Sequence, residues 1–579
     1  MRYIINRNIS ILVFVIALVG IIVTSCEKYD TPASIRESLE DAGQDTSIVR
    51  KVLLINVDGG VGQLVKGIMP QNIASLLPRS KYSFDGYCAV AEGERNSGEE
   101  EPVSWAGMLT GVLNVKHKIK NNTYIPVVSM TPDAPDVVID YYPTLLYRIR
   151  NNDPLARTIC ITPWQALNDR FLGDANKTIT SISDEASKDS TVFSLLNEDY
   201  VFTMASFKGA LEAGKANGFT ATNAGYKSQI ETIDGYIGEI VDAVKSRETY
   251  GKEDWLIIIT STNGGTPEGS YGGTSDEERN TFTIFHYMNF NELELNGTFI
   301  TSPRFSRNVA GNVSDQEQRY ALTPTDTMTI EMIFKVNARE DDGSFGYGNW
   351  IKVMGKKNWG FFQKWSTLNF RCESNTGVTI ERGVTGFNDG LWHSFAVSSY
   401  LNQQKKSRTF KIYYNGTLTF TGDYDLDMNA SAIDTSDFQI GGLSDIDFNA
   451  AVVRIWDTVL NEYEFDQNAC LLEMTSTHPN YDRLIGYWNL LDQGAIKNDT
   501  VLASPIPGIP NMYLSGQPFT YSKSANTLAC HFASDDIVVE SETIAPQIFY
   551  WLNINPSSDW RLDRPEFLSK YDLEIYRPE

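Results

Sequence analysis

Apolar residues are spaced in two different ways along the chain, and the change falls near residue 300. Before it, short apolar runs alternate with helical spacing. Val52-Leu53-Leu54-Ile55-Asn56-Val57-Asp58 reads as a buried strand that ends in an acid and two glycines, Gly59 and Gly60. Further apolar runs lie at Thr158–Thr162, Tyr200–Ala205, Trp255–Thr260 and Thr281–Met288. Ile230, Ile233, Ile237, Ile240, Val241 and Val244 fall on one face of a helix. Strands alternating with helices predict an α/β domain, a mostly parallel sheet with helices on both faces. Ligand sites of such sheets lie beyond the C-terminal ends of the strands, where Asp58 is placed.

From about Thr301 to Leu514 the strands are short and helix signals are few. Thr327–Val336, Trp392–Ser398, Thr409–Tyr414 and Ala451–Trp456 alternate or run apolar, and Asn388-Asp389-Gly390 and Asn415-Gly416 mark turns. This predicts an antiparallel β-sandwich. Glu542–Ile554 then returns to a helical apolar pattern. The expected organisation is a leader over 1–25, a tether over 26–50, a first α/β part over 51–300, the sandwich over 301–515 and a closing α/β part over 516–579.

Charge narrows the partners. Lys and Arg number 49 against 73 Asp and Glu, a formal net charge of −24. Such a surface repels phosphate backbones, so nucleic acid is not an expected partner. The 28 Tyr and 11 Trp suit either a β-rich fold or stacking on sugars, and composition does not choose between them.

The N-terminus reads as a targeting segment. Arg2 and Arg7 precede an apolar run from Ile11 to Val23, which is too short for a typical membrane-spanning helix. The run ends in Val23-Thr24-Ser25-Cys26, which resembles the bacterial lipobox, so Cys26 is the expected lipid attachment site and the outer membrane the expected location. Glu27-Lys28-Tyr29-Asp30 resembles the signals that send lipoproteins of Bacteroides-like bacteria to the cell surface. Cys88, Cys160, Cys372, Cys470 and Cys530 remain, widely spaced and without zinc-type motifs, and read mostly as buried free thiols with room for one disulfide.

Five segments, in order, resemble the alkaline phosphatase superfamily, especially its phosphodiesterase and sulfatase-like branches. Val52–Gly59 resembles the opening strand with its metal-binding Asp. Ser104–Gly111 followed by Lys116-His117-Lys118-Ile119 resembles the helix after the nucleophile and its continuation. Ile259–Gly265 stands in the place of the "TSDHGG" segment, and Glu277-Glu278-Arg279-Asn280 matches "EERN". Ile544–Ile554 with Asp559–Asp563 resembles the closing segment.

The resemblance implies two metal ions, usually zinc, held by Asp and His, and an activated hydroxyl or modified Cys nucleophile. Position by position, this chain departs from that set. Asp58 is kept. Glu101 stands where the nucleophile is expected, and Ser104, the nearest hydroxyl, is about one helical turn out of register. The Asp and His of "DxxGHxxGF" fall on Leu211 and Lys215, because Gly214, Gly218 and Phe219 still match. The "DH" pair falls on Thr262 and Asn263, and the last His falls on Tyr271. Leu binds no metal, and Lys is a cation without an acceptor. None of the chain's histidines, His117, His286, His393, His478 and His531, falls at a ligand position. His117 reads as structurally hydrogen-bonded. The expectation is a pseudoenzyme with its zinc site lost and Asp58 as a vestige. One alternative sets Asp58 with Glu99, Glu100 or Glu101 in a calcium or magnesium site, against the plainer reading of a solvated acidic loop.

Asp389–Val397, Lys411–Gly416, Gln439–Gly442, Val453–Trp456 with Leu460-Asn461-Glu462, and Leu484–Trp488 resemble strands of laminin-G-like, concanavalin-like domains. Such sandwiches host glycan binding, protein binding and hydrolysis alike, and the ExDxxE pattern typical of the hydrolase branch is not in this chain. Tyr347, Trp350, Trp359 and Trp365, with Phe361 and Phe362 among them, are candidate sugar-stacking residues, against the reading that most belong to the core of two strands. Asp341-Asp342 is a weak calcium candidate.

The closing α/β segment follows the sandwich, so the sandwich reads as an insertion. The architecture resembles surface lipoproteins of gut Bacteroides-type bacteria with an unassigned C-terminal domain. That resemblance implies partnership with outer-membrane importers of the SusC/SusD type. Three functions stay open: a surface binding protein for a glycan or glycoconjugate, a divergent phosphodiesterase, phosphatase or sulfatase, and a structural scaffold.

Overall fold

The computed structural model describes residues 48–575 apart from 89–100, 128–140, 323–326, 338–347, 349, 374–378, 426–433, 443–445, 492–499, 517–519 and 529–535. Cys26, Tyr347, Asp341, Asp342, Glu99 and Glu100 lie outside the described residues.

The first sheet has eight strands: β1 (Val49–Val57), β2 (Ser80–Tyr87), β3 (Thr158–Thr162), β4 (Lys177–Thr180), β5 (Phe202–Phe207), β6 (Glu253–Thr260), β7 (Asn280–His286) and β8 (Leu293–Glu294), in the order β4-β3-β5-β1-β6-β7-β2-β8. From β4 to β6 every pairing is parallel, and β7 runs antiparallel to both β6 and β2. The central strands are apolar and buried along most of their length, as a parallel sheet covered on both faces requires.

Four helices matter for the site. α1 (Pro102–Thr110) is buried along its whole length. α2 (Gly209–Asn217) follows β5, and the Asp184 carboxylate holds its first turn by accepting from the Lys208 and Gly209 amides at 2.9 and 2.8 Å. α3 (Ala224–Lys245) buries the isoleucine stripe expected of it. α4 (Ile544–Trp551) comes from the far end of the chain and packs into the same core. Trp551 Nε1 donates to Lys51 O at 3.0 Å, and Asp563 accepts from the Leu113 amide at 2.7 Å and pairs with Lys116. The C-terminal segment thus completes the domain that the N-terminal part begins.

Between them lie two antiparallel sheets of eight strands each, the inserted β-sandwich, with a separate core built around Trp359, Trp392, Trp456 and Trp488. Asn415 and Gly416 both have positive φ, 48° and 80°, which is the backbone of a tight hairpin turn. The strand Tyr521–Ala525 pairs with Phe299–Phe305 in a sandwich sheet, so the sandwich runs past the boundary of 515 read from the sequence. Cys88, Cys160 and Cys372 are buried free thiols, whereas Cys470 is disulfide-bonded. Among the described residues no helix is long and apolar enough to cross a membrane.

Candidate functional site: the strand-end cluster

β1, β3, β5 and β6 run parallel, so the residues that follow them emerge on one edge of the sheet. Asp58 follows β1, Trp164 follows β3 and Thr262 follows β6, while Ser206 lies near the end of β5. All four meet. The Asp58 carboxylate is fully buried and accepts from Trp164 Nε1 at 2.6 Å, Thr262 Oγ1 at 2.9 Å, Ser206 Oγ at 3.4 Å and Asn56 Nδ2. Its backbone amide donates to Phe207 O at 2.9 Å. Burial raises the Asp58 pKa to about 6, and the bonds from Trp164, Thr262 and Asn56 oppose that rise.

Glu101 caps the N-terminus of α1 with a left-handed backbone, φ 45° and ψ 56°, which a residue with a Cβ adopts only at some cost in energy. Its side chain is buried. Among the described residues neither carboxylate oxygen accepts a well-formed hydrogen bond, although Thr262 and Asn263 face it. Burial, followed by the nearby Asp58 charge, pushes its pKa well above the ordinary carboxylate value. Ser104 Oγ donates to Asn263 Oδ1 at 3.0 Å, which ties α1 to the loop after β6.

Leu211, Lys215 and Tyr271 lie around the same edge. Leu211 is buried on α2 against Gly59. A Cβ on Gly59, whose φ is +74°, would lie 2.6 Å from Leu211 Cα, so this glycine permits the close approach of α2. Lys215 is exposed on α2, and its charge favours ionised Glu101. Tyr271 stacks on Phe219 with ring centroids 6.0 Å apart and an angle of 10°. Phe219 also fills the space beside Gly214, where an added Cβ would come within 2.2 Å of its ring. Close backbone and ring contacts therefore shape this edge around Gly59 and Gly214.

This donor set does not fit a pair of zinc ions. Asp58 is the single carboxylate retained at a ligand position, and the other positions carry Leu211, Lys215, Thr262, Asn263 and Tyr271. Among the described residues no group of three or more His, Cys, Asp or Glu converges as a metal site would require. Asp58 and Glu101 do come together, as the hard-cation alternative supposes. The oxygens of Asp58 are already engaged by protein donors.

The sandwich candidates separate from one another. Trp359 belongs to the core, 1% exposed, and donates Nε1 to Tyr320 O at 2.8 Å. It offers no face to a ligand, which corrects its candidacy, because strand alternation turns it inward with Phe361. Trp350 is half-buried with Lys364 and Arg371 over its ring at 4.4 and 5.0 Å. Trp365 is 62% exposed. His117 accepts from the Ile119 amide at Nδ1, 3.0 Å, in keeping with a structural hydrogen bond.

Residues 474–568 match a domain of unknown function, DUF4983. The match runs from the last part of the sandwich into the closing α/β segment. No curated protein matches the chain. Solved structures resemble parts of it. A 2-O GAG sulfatase is 12% identical over 42% of this chain and 65% of its own, with a TM-score of 0.31. Murine ectonucleotide pyrophosphatase/phosphodiesterase 5 is 14% identical over 38% and 57%, with a TM-score of 0.29. The binding domain of a Paraclostridial mosquitocidal protein is 16% identical over 28% and 42%, with a TM-score of 0.23. The chain spans less than two thirds of the length of each of these structures.

Proposed function

We propose that this chain is a non-catalytic binding protein, held at the outer-membrane surface through lipid on Cys26, whose α/β domain is a pseudo-hydrolase. One observation carries the reading. Both oxygens of Asp58, the one retained ligand position, are engaged by Trp164, Thr262, Ser206 and Asn56. A carboxylate in a working metal site keeps lone pairs for the ion, whereas here the former ligand is a structural acceptor. The cargo is a glycan or glycoconjugate, and the partner is an outer-membrane importer.

The direct test is an ester-hydrolysis assay on the purified chain with p-nitrophenyl sulfate, p-nitrophenyl phosphate and bis-p-nitrophenyl phosphate. Zinc, calcium or magnesium is added, and Asp58→Ala serves as the comparison. The expected result is equal background for both proteins. Metal-dependent turnover that disappears in Asp58→Ala would overturn the reading in favour of a divergent hydrolase. Affinity capture from native outer membranes tests the partnership, with stoichiometric recovery of a transporter as the expected outcome and recovery of the chain alone as the contrary one.

A further inference from the structure

A second polar cluster lies in the α/β domain, outside the strand-end cluster. Two adjoining cavities, of about 270 and 160 Å³, share Tyr141 and Tyr142. Together they reach the size of small-molecule sites, roughly 300–1,000 Å³. The larger is lined by His117, Tyr124, Phe171, Arg170 and Asp174, and the smaller by Tyr147, Arg148, Asn151, Asp559 and Trp560.

Three features make this a built site. First, aromatic faces are open at its mouth. Tyr141 is 70% exposed and Tyr147 is 39% exposed, and Tyr124 and Phe171, which line the larger cavity, stack on each other with ring centroids 5.0 Å apart. Second, a buried donor lacks a partner. His117 uses Nδ1 to accept from Ile119, so the proton of the neutral ring sits on Nε2. Among the described residues no acceptor meets Nε2, although it is fully buried in a side chain that lines the cavity. A buried donor in that state favours a ligand that brings an acceptor. Third, the cations at the rim are already engaged. Arg150 pairs with Asp174 at 2.7 Å, Arg170 Nη1 donates to Asn122 O at 2.7 Å, and the Arg148 guanidinium lies 3.9 Å from the Trp560 ring centre. A ligand with a formal negative charge would find few uncommitted cations here.

An open aromatic face suits the C–H face of a pyranose ring. Mixed donors and acceptors (His117 Nε2, Asn151, Asp559) suit hydroxyls, which donate and accept at once. We propose that this groove, formed around Tyr141, Tyr147, Trp560 and His117, binds a neutral saccharide. The assignment rests on the binding-protein reading and places its glycan site on the α/β domain, away from the sandwich tryptophans.

The test is glycan-array binding of the intact purified chain to neutral and anionic oligosaccharides, followed by titration calorimetry with the strongest neutral one. Tyr141→Ala and Tyr147→Ala each weaken binding at least about tenfold, and Tyr513→Ala, at an exposed position of the sandwich, leaves it unchanged. Both tyrosines are on the surface, so the variants fold, and two independent positions guard against a local effect of either. Neutral-glycan binding that survives both tyrosine variants overturns the site. So does binding confined to sulfated or sialylated glycans, or no glycan binding at all. The first two outcomes overturn the site and leave the binding-protein reading standing, the third overturns the site and the glycan cargo together, and the ester assay alone reads hydrolysis.

Discussion

Two polar clusters in one α/β domain differ in whether their hydrogen-bonding groups are spent. At the strand ends, Asp58 has drawn in Trp164, Thr262, Ser206 and Asn56 until its oxygens are engaged. In the tyrosine groove, His117 holds a buried Nε2–H that meets no acceptor among the described residues, and two tyrosine faces stand open. Around Asp58 the first cluster is closed by protein donors and contributes to the fold, while Glu101 beside it keeps buried oxygens without a partner among the described residues. The second keeps capacity for something outside the chain. A buried carboxylate can thus be made structural by donors from within the chain, while binding capacity sits elsewhere on the same scaffold.

The sharpest way to break this comparison is Asp58→Ala. It strands the buried donors of Trp164, Thr262 and Asn56, so urea unfolding at pH 7 should show a loss of about 3 kcal/mol. A change within about 0.5 kcal/mol would mean that the cluster is not structural.

The two clusters also respond to pH in opposite directions. Burial raises Asp58 from 3.8 to about 6, so the folded state holds that proton more tightly than the unfolded chain. Its contribution to stability is full below pH 3.8 and is lost as pH rises through 6. Burial lowers His117 from 6.5 to about 3, so the unfolded chain takes up that proton first. Its contribution is present above pH 6.5 and is lost as pH falls towards 3. Asp58→Asn should therefore remove a decline of about 2 kcal/mol between pH 4 and 6, and His117→Gln should remove a loss of about 3 kcal/mol between pH 8 and 4. Unfolding free energies measured from pH 4 to 8 check both signs, and slopes unchanged in the variants would contradict the assignments.

Glu101 is the unfinished part of the closed cluster. It pairs a left-handed backbone with a buried carboxyl whose oxygens accept no well-formed bond among the described residues. Burial raises its pKa, so the ionised form costs stability at high pH. Glu101→Gln keeps the shape and removes that charge. It should raise stability at pH 8 and raise it less at pH 5. Thermal unfolding at the two pH values reads the difference, and a loss of stability at pH 8 would mean that the charge is wanted.

Much of the frame is legible in the chain itself. Val52–Val57 and Trp255–Thr260 are apolar runs because their strands are covered on both faces, and the isoleucine stripe of α3 is one helical face. β2 is harder to see. Ser80, Lys81 and Ser83 are polar, yet they are buried because partners reach them, Lys81 through Glu574 at 2.9 Å and Ser80 Oγ through Leu76 O at 2.7 Å. The ordered motifs bring Asp58, Glu101, Leu211, Thr262, Asn263 and Tyr271 to one edge. The role of Trp164 as a donor to Asp58 carries no motif and appears only once β3 lies beside β5. The tyrosine groove is not legible for the same reason. Residues 117–124, 141–151, 170–174 and 559–560 are brought together by the fold, and no local spacing announces them. In the sandwich, aromatic density points to Trp350, Trp359 and Trp365, and burial then separates the three.

The smallest expected effect is the most discriminating one. Tyr141 and Tyr147 present their faces to solvent, so their removal strands little and leaves a surface that water fills. Tyr141→Ala and Tyr147→Ala should each change unfolding free energy by less than about 0.5 kcal/mol. Asp58→Ala, in the same domain, should cost several times as much. If either tyrosine variant instead destabilises the chain by as much as Asp58→Ala, the groove is packing of the same kind as the strand-end cluster, and the contrast between a spent site and an open one disappears. A near-zero stability change together with weakened saccharide binding is the pattern of residues held for a ligand, since their contribution is then absent from the free chain and present only in the complex.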